Sequence, residues 1–327
     1  MRRLLLALAL VAALSGCGSG AHGVPRGFRP ETAAAAGASD IWVLGQGNTL
    51  VRSTDAGAHF ERVAFPALPT QGNVPVIEFA TPQTGYAYER GSRLYVTRDG
   101  GSSWQAALGG VLWLALGDRY VYALTKQGLE RSPVARDVWM RLPYRTDWQR
   151  DSIAARGSHV WLLGAPRRGQ DSTTLAISND RGRSFTSHTG PCFYDLPGTV
   201  VPAGGNAVWA VCPSGMMAGL SLSTDDGRTF PAVRSFHDPG GLSLPPLTNG
   251  ARIAPFSPRA AILDGGAQSP LLRTTNRGRN WTPVQPTKLD ELLWLGSATH
   301  RVGYALTSNK LWRTSDAGAS WHVVPIR

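Results

Sequence analysis

Apolar residues are gathered along this chain into short runs, many of them alternating with polar ones, and broken every few residues by glycine, proline, asparagine or aspartate. Alternation is the period of a half-buried strand, and no long stretch carries the stripe of an amphipathic helix. The C-terminal part shows the unit most fully. There ELLWLGSA, VGYALTSN, KLWRTSD and SWHVV read as four successive strands separated by turns. The third and fourth are joined by a box: Ser or Thr, any residue, Asp or Asn, any residue, Gly, two residues of any kind, then Trp or Phe.

The box occurs at Ser53, Asp55, Gly57, Phe60; at Thr97, Asp99, Gly101, Trp104; and at Ser178, Asp180, Gly182, Phe185. It returns at Ser223, Asp225, Gly227, Phe230; at Thr274, Asn276, Gly278, Trp281; and at Thr314, Asp316, Gly318, Trp321. First positions are separated by 44, 81, 45, 51 and 40 residues, so one interval is about twice the others. RSPVARDVW fills the gap as a worn copy, with Ser132 and Trp139 in place but Val134 and Arg136 where Asp and Gly are expected. The other reading of that interval is a long connection with a chance resemblance. With the worn copy included, seven repeats of four short strands predict an all-β fold, a seven-bladed β-propeller with four-stranded antiparallel blades, over residues 32–327.

The chemistry of the box is that of a turn. Asp55, Asp99, Asp180, Asp225, Asn276 and Asp316 can accept from backbone N–H groups, the glycine supplies a positive φ, the hydroxyl ties the turn locally, and the aromatic buries its ring between sheets. These carboxylates are therefore framework. On these residues the chain resembles the Asp-box, or BNR, repeat β-propellers, which include bacterial sialidases, other glycosidases, sortilin-type receptor domains and photosystem II assembly factors. The resemblance implies box turns near the blade periphery, away from the central cavity, and leaves activity open because enzymes and non-enzymes share the box.

Placed on that fold, the longer loops entering each first strand converge on one mouth of the central channel. They carry Tyr144, Arg145, Asp147, Trp148, Arg150, Tyr194, Asp195, His237, Asp238, Lys288 and Asp290, a mixture of aromatic platforms and charges suited to a protein surface or an anionic glycan. The plainer reading is a solvated rim whose aromatics cover the propeller. A glycosidase would need two carboxylates about 5 to 9.5 Å apart, with Asp147, Asp195, Asp238, Glu291 and the inward-capable Glu78 as contributors. The resemblance to sialidases implies three convergent arginines, a tyrosine nucleophile and an N-terminal Phe-Arg-Ile-Pro motif. GFRPE, Gly27 to Glu31, departs from that motif, and six blades rather than seven are usual in sialidases. The leading expectation is a non-catalytic binding or assembly module, with a sialidase-like glycoside hydrolase as the alternative.

Composition narrows this further. Lys and Arg number 33 against 22 Asp and Glu, a net charge of +11 that favours anionic neighbours. The basic residues are scattered without a finger or recognition helix, so nucleic acid is not expected. The seven histidines form no short metal-ligand motif, and no phosphate loop, dinucleotide fingerprint or serine elbow occurs, so neither metal nor cofactor is expected. MRRLLLALALVAALSGC has the charged start, apolar run and small residues of an export signal over residues 1–16. LSGC resembles the lipobox of bacterial lipoproteins, which implies lipid on Cys17, a membrane anchor on the extracytoplasmic side of the envelope, and a tether over residues 17–31. Cys192 and Cys212 then remain as one disulfide pair or as two buried thiols. Closure by packing between the first and last blades is expected, with exchange of a terminal strand as the runner-up, and the chain is read as a monomer.

Overall fold

A computed structural model describes residues 23–68, 73–145, 152–164, 172–193, 198–234, 244, 247–248, 250–266, 269–284 and 290–327. They form seven sheets, each built on four consecutive antiparallel strands: blade 1 within 30–63, blade 2 within 76–106, blade 3 within 111–141, blade 4 within 152–193, blade 5 within 199–234, blade 6 within 252–283 and blade 7 within 292–324; in blade 5 a fifth short strand, Leu247–Thr248, also pairs with the third. The worn copy is a full blade, blade 3. At six of the seven seams the first strands of successive blades lie beside one another around the axis. That crowding favours small side chains there, as in Ala33, Ala34, Ala154 and Ala254, all buried.

The core is a ring of seven seams. Each apolar cluster draws buried residues from two neighbouring blades, from blades 1 and 2 (Trp42, Leu50, Phe79) round to blades 7 and 1 (Tyr304, Leu306, Ile41, Phe60). The first and last blades each consist of their own consecutive strands, so the ring closes by packing and not by strand exchange. The tyrosine hydroxyl of Tyr304 donates to the Ala38 carbonyl across this closing seam, at 3.3 Å. The first strand begins at Pro30, and Val24 and Phe28 pack against the closing seam, so residues 24–31 belong to the folded body.

The box turns form as their chemistry dictates. In blade 4, Ser178 Oγ donates to Asp180 Oδ1 (2.8 Å) and accepts from Gly182 N (2.7 Å), while Ser184 N and Oγ donate to the same carboxylate at 3.0 and 2.7 Å. The residue before the box glycine, Ala56, Gly100, Arg181, Asp226, Arg277 or Ala317, has a positive φ and donates its N–H to the hairpin between strands one and two of its blade. Blade 3 keeps the positive φ at Ala135, but its Ser132 Oγ donates to Arg136 O (2.6 Å) and accepts from Val138 N (3.0 Å). The turn survives there without Asp and Gly because the hydroxyl reaches further along the backbone.

A second ring, on the second strands, locks each blade to the next. Trp42, Tyr86, Tyr122, Trp161, Trp209, Ile262 and Tyr304 each sit opposite the residue immediately preceding the box hydroxyl. The Trp42 indole donates to Gly100 O (2.9 Å) and the Trp161 indole to Asp226 O (2.7 Å), both in the box of the following blade. Trp209 and Ile262 lie against the box glycines Gly278 and Gly318. The box is thus a socket for the preceding blade as well as a turn.

Candidate binding rim and channel mouth

In an antiparallel meander, the turns after strands one and three share one end, and the turns after strands two and four share the other. The boxes therefore lie on one face of the propeller. The opposite face, here called the rim, carries the blade-to-blade connections and surrounds the channel mouth.

Of the expected rim residues, Tyr144, Arg145 and Asp290 lie within the described residues. Asp147, Trp148, Arg150, Tyr194, Asp195, His237, Asp238 and Lys288 lie outside them, as does Cys17. Arg145 and Asp290 are exposed. Tyr144 is half-buried, with its ring 5.1 Å from that of Phe185 and against the seam of blades 3 and 4, so it is held by packing rather than standing free.

This face also carries residues, in strands and in the turns between them, that were not singled out from sequence. Arg90 stacks its guanidinium over the Trp113 ring, 3.5 Å from the centroid, on the first strand of blade 3. Such a cation on an indole face contributes about 0.5 to 1 kcal/mol when exposed. Arg252, at the start of the blade 6 first strand, donates to Leu292 O (3.0 Å) on the blade 7 first strand and lies 3.6 Å from Asp264. Burial pushes the Asp264 carboxyl up, against the pull of the Gly266 N–H and of Arg252. The expected disulfide lies at this end as well: Cys192, near the end of the blade 4 outer strand, is bonded to Cys212 on the second strand of blade 5, with Cα atoms 5.2 Å apart.

Glu78 points from the first strand of blade 2 into the space between blades 2 and 3. It is half-buried, and no hydrogen bond or ion pair holds it among the described residues. Burial pushes its carboxyl up to about 8, so it is protonated at neutral pH. The same seam holds Tyr88, whose hydroxyl oxygen accepts from Leu114 N at 3.1 Å. Among the described residues no group of three His, Cys, Asp or Glu side chains is placed to hold a metal ion.

With this geometry in view, comparison with known proteins separates fold from activity. No family model matches the sequence, and no curated protein matches it. Among solved structures, the chain is similar to YCF48 bound to D1 peptide, with a TM-score of 0.54 and 15% identity over 90% of this chain and 93% of that one. It shares that protein's fold. Two further likenesses are looser: the GH74 enzyme of Niastella koreensis (TM-score 0.47, 12% identity, 91% of this chain and 65% of that one) and YCF48 from Cyanidioschyzon merolae (TM-score 0.40, 16% identity, 87% and 81%).

Proposed function

We propose that the chain is a non-catalytic binding or assembly module that seats a segment of a partner protein across the rim. In this reading it is anchored through lipid on Cys17 at the extracytoplasmic side of a bacterial envelope. The observation that carries it is the likeness, over nearly the whole of both chains, to a single propeller solved with a peptide bound. Exposed charge at Arg145 and Asp290 and a stacked cation at Arg90 support this reading, and in it Trp148 and Tyr194, which lie outside the described residues, are the aromatic anchors. Aromatic residues at a rim anchor partners because they bury a large area at small entropic cost.

The test uses the full-length chain in its own membrane, cross-linked and captured beside a Trp148→Ala/Tyr194→Ala variant. A discrete adduct that the variant loses, with its thermal midpoint unchanged, is the expected result. Adducts insensitive to the two changes would overturn the rim assignment. Tyr144 is left intact in this design because its ring is part of the blade 3/4 seam.

One feature favours the hydrolase reading: on the first strand of blade 2, burial pushes the Glu78 carboxyl up, the direction a general acid requires. Turnover of a glycoside panel by the wild type, lost in Glu78→Gln, would establish it; absence of turnover at any pH from 4 to 8 supports the binding role.

A further inference from the structure

The box face carries a second feature, independent of the rim. In blades 6 and 7 the hairpins and boxes present Arg259, Arg277, Arg279 and Arg301, all exposed and none in an ion pair among the described residues. Hydrogen bonds tie together the backbone turns that carry them. Arg277 N donates to Arg259 O (3.0 Å), Arg273 Nε reaches from blade 6 to Ala317 O in the blade 7 box (2.9 Å), and Ala317 N donates to Arg301 O (2.8 Å). The four arginines therefore sit on neighbouring turns of two adjacent blades, an arc of basic positions on the box face.

Two observations say what the arc is for. The only carboxylate in the boxes and hairpins of these blades is Asp316, a single acid beside four arginines. In blade 6 the box acid is replaced by Asn276, which keeps the turn, its Oδ1 accepting from Thr274 Oγ1 (3.1 Å) and Asn280 N (2.9 Å). The amide does the structural work of the aspartate and omits its charge, among the arginines. On either side the charge is offset, by Asp225 and Asp226 in blade 5 and by Asp40 (2.9 Å from Arg52) and Asp55 in blade 1. The arc also lacks an apolar anchor: among the described residues the exposed large hydrophobic ones are Val74, Val138, Met140, Phe193, Met216, Met217 and Val323, none of them in these hairpins or boxes. Protein interfaces centre on such an anchor, whereas a polyanion is held by charge and by the guanidinium fork alone.

We propose that the box face of blades 6 and 7 binds an acidic polysaccharide, its repeating carboxylates paired with Arg259, Arg277, Arg279 and Arg301. The probe is polygalacturonate, with neutral dextran as its control, and the readout is the affinity of the full chain as a function of salt. Binding that weakens steeply with salt is expected, with a loss of about tenfold or more in the R259Q/R277Q/R279Q/R301Q variant, since each neutralised pair contributes through released counterions. A variant with the same loss of charge elsewhere, R26Q/R29Q/R93Q/R141Q, should stay within about twofold if the arc rather than net charge is the site. Asn276→Asp restores the side chain found in five of the other boxes, so it preserves the turn, and one like charge should weaken binding by about threefold. Equal loss in the two quadruple variants, or N276D binding as tightly as wild type, would overturn the proposal. So would tighter binding through the arc of phosphatidylglycerol vesicles or poly-glutamate than of polygalacturonate.

Discussion

Glu78 and Asp180 carry the same functional group and are driven in opposite directions by their surroundings. At Asp180 burial works against ionisation, but hydrogen bonds from Ser184, Ser178 and Arg183 outweigh it and hold the carboxyl at about 2. Asp99, Asp225 and Asp316 are held at about 2 by the same competition. A carboxylate with a depressed folded pKa stabilises the fold above its unfolded pKa and loses that contribution as pH falls through the folded value. The boxes should therefore stay intact until pH drops from 3.8 towards 2. Glu78 behaves in the reverse sense: with its pKa raised from 4.5 to about 8, the folded state binds more protons than the unfolded one between those values. Its contribution is fully present below pH 4.5 and is lost as pH rises through about 8. Glu78→Gln should accordingly raise the thermal midpoint at pH 8 relative to wild type and leave the two close at pH 4.5. Midpoints measured from pH 4 to 9 check this, and parallel curves for the two proteins would show that burial does not raise this carboxyl.

At the scale of the strand and turn, the repeated box solves two problems with one glycine. Gly318 has φ +80°, and a Cβ there would lie 2.3 Å from Ile262 Cδ1 of the preceding blade. Gly318→Ala combines a left-handed backbone with overpacking and should cost about 2 to 4 kcal/mol. Gly205, at φ +53° in a hairpin, has Pro258 Cγ no nearer than 3.5 Å to the same added atom, so Gly205→Ala should cost only about 1 kcal/mol. Urea unfolding of the two variants measures the difference, and equal losses would mean that the socket is not filled by Ile262. Half of this device was legible in the sequence. The box has a fixed internal spacing, so Ser178, Asp180, Gly182 and Phe185 announce their turn wherever they occur. Its partners on the second strand, such as Trp42 and Trp161, lie at varying distances from the box because the turn between strands two and three changes length, and only the register reveals that they are equivalent.

For the whole molecule, the blade count was readable because one period sets one blade, and even the worn copy at Ser132 kept a hydroxyl and an aromatic at the right separation. The rim was less readable, because its residues sit in connections that share no period, and a loop sequence fixes neither where its side chains come together nor how deeply they pack. Tyr144 illustrates the point: as a sequence position it is a free aromatic, and in the fold it seals a seam. The seams are alike in kind, but that of blades 4 and 5 is fastened at both ends, by the Trp161 indole on Asp226 O at the box face and by the Cys192–Cys212 bond near the rim. A bond spanning 20 residues removes unfolded-state entropy worth about 3 kcal/mol. It also ties an outer strand to the neighbouring blade, where an outer strand otherwise holds to one inner neighbour. Replacing both cysteines by serine should therefore lower stability by about 3 kcal/mol and raise hydrogen exchange in blades 4 and 5 before the other five blades respond. Thiol titration of the unreduced, denatured chain fixes the starting state. Free thiol at Cys192 and Cys212, or exchange that rises evenly round the ring in the serine variant, would show that the seam does not depend on this bond.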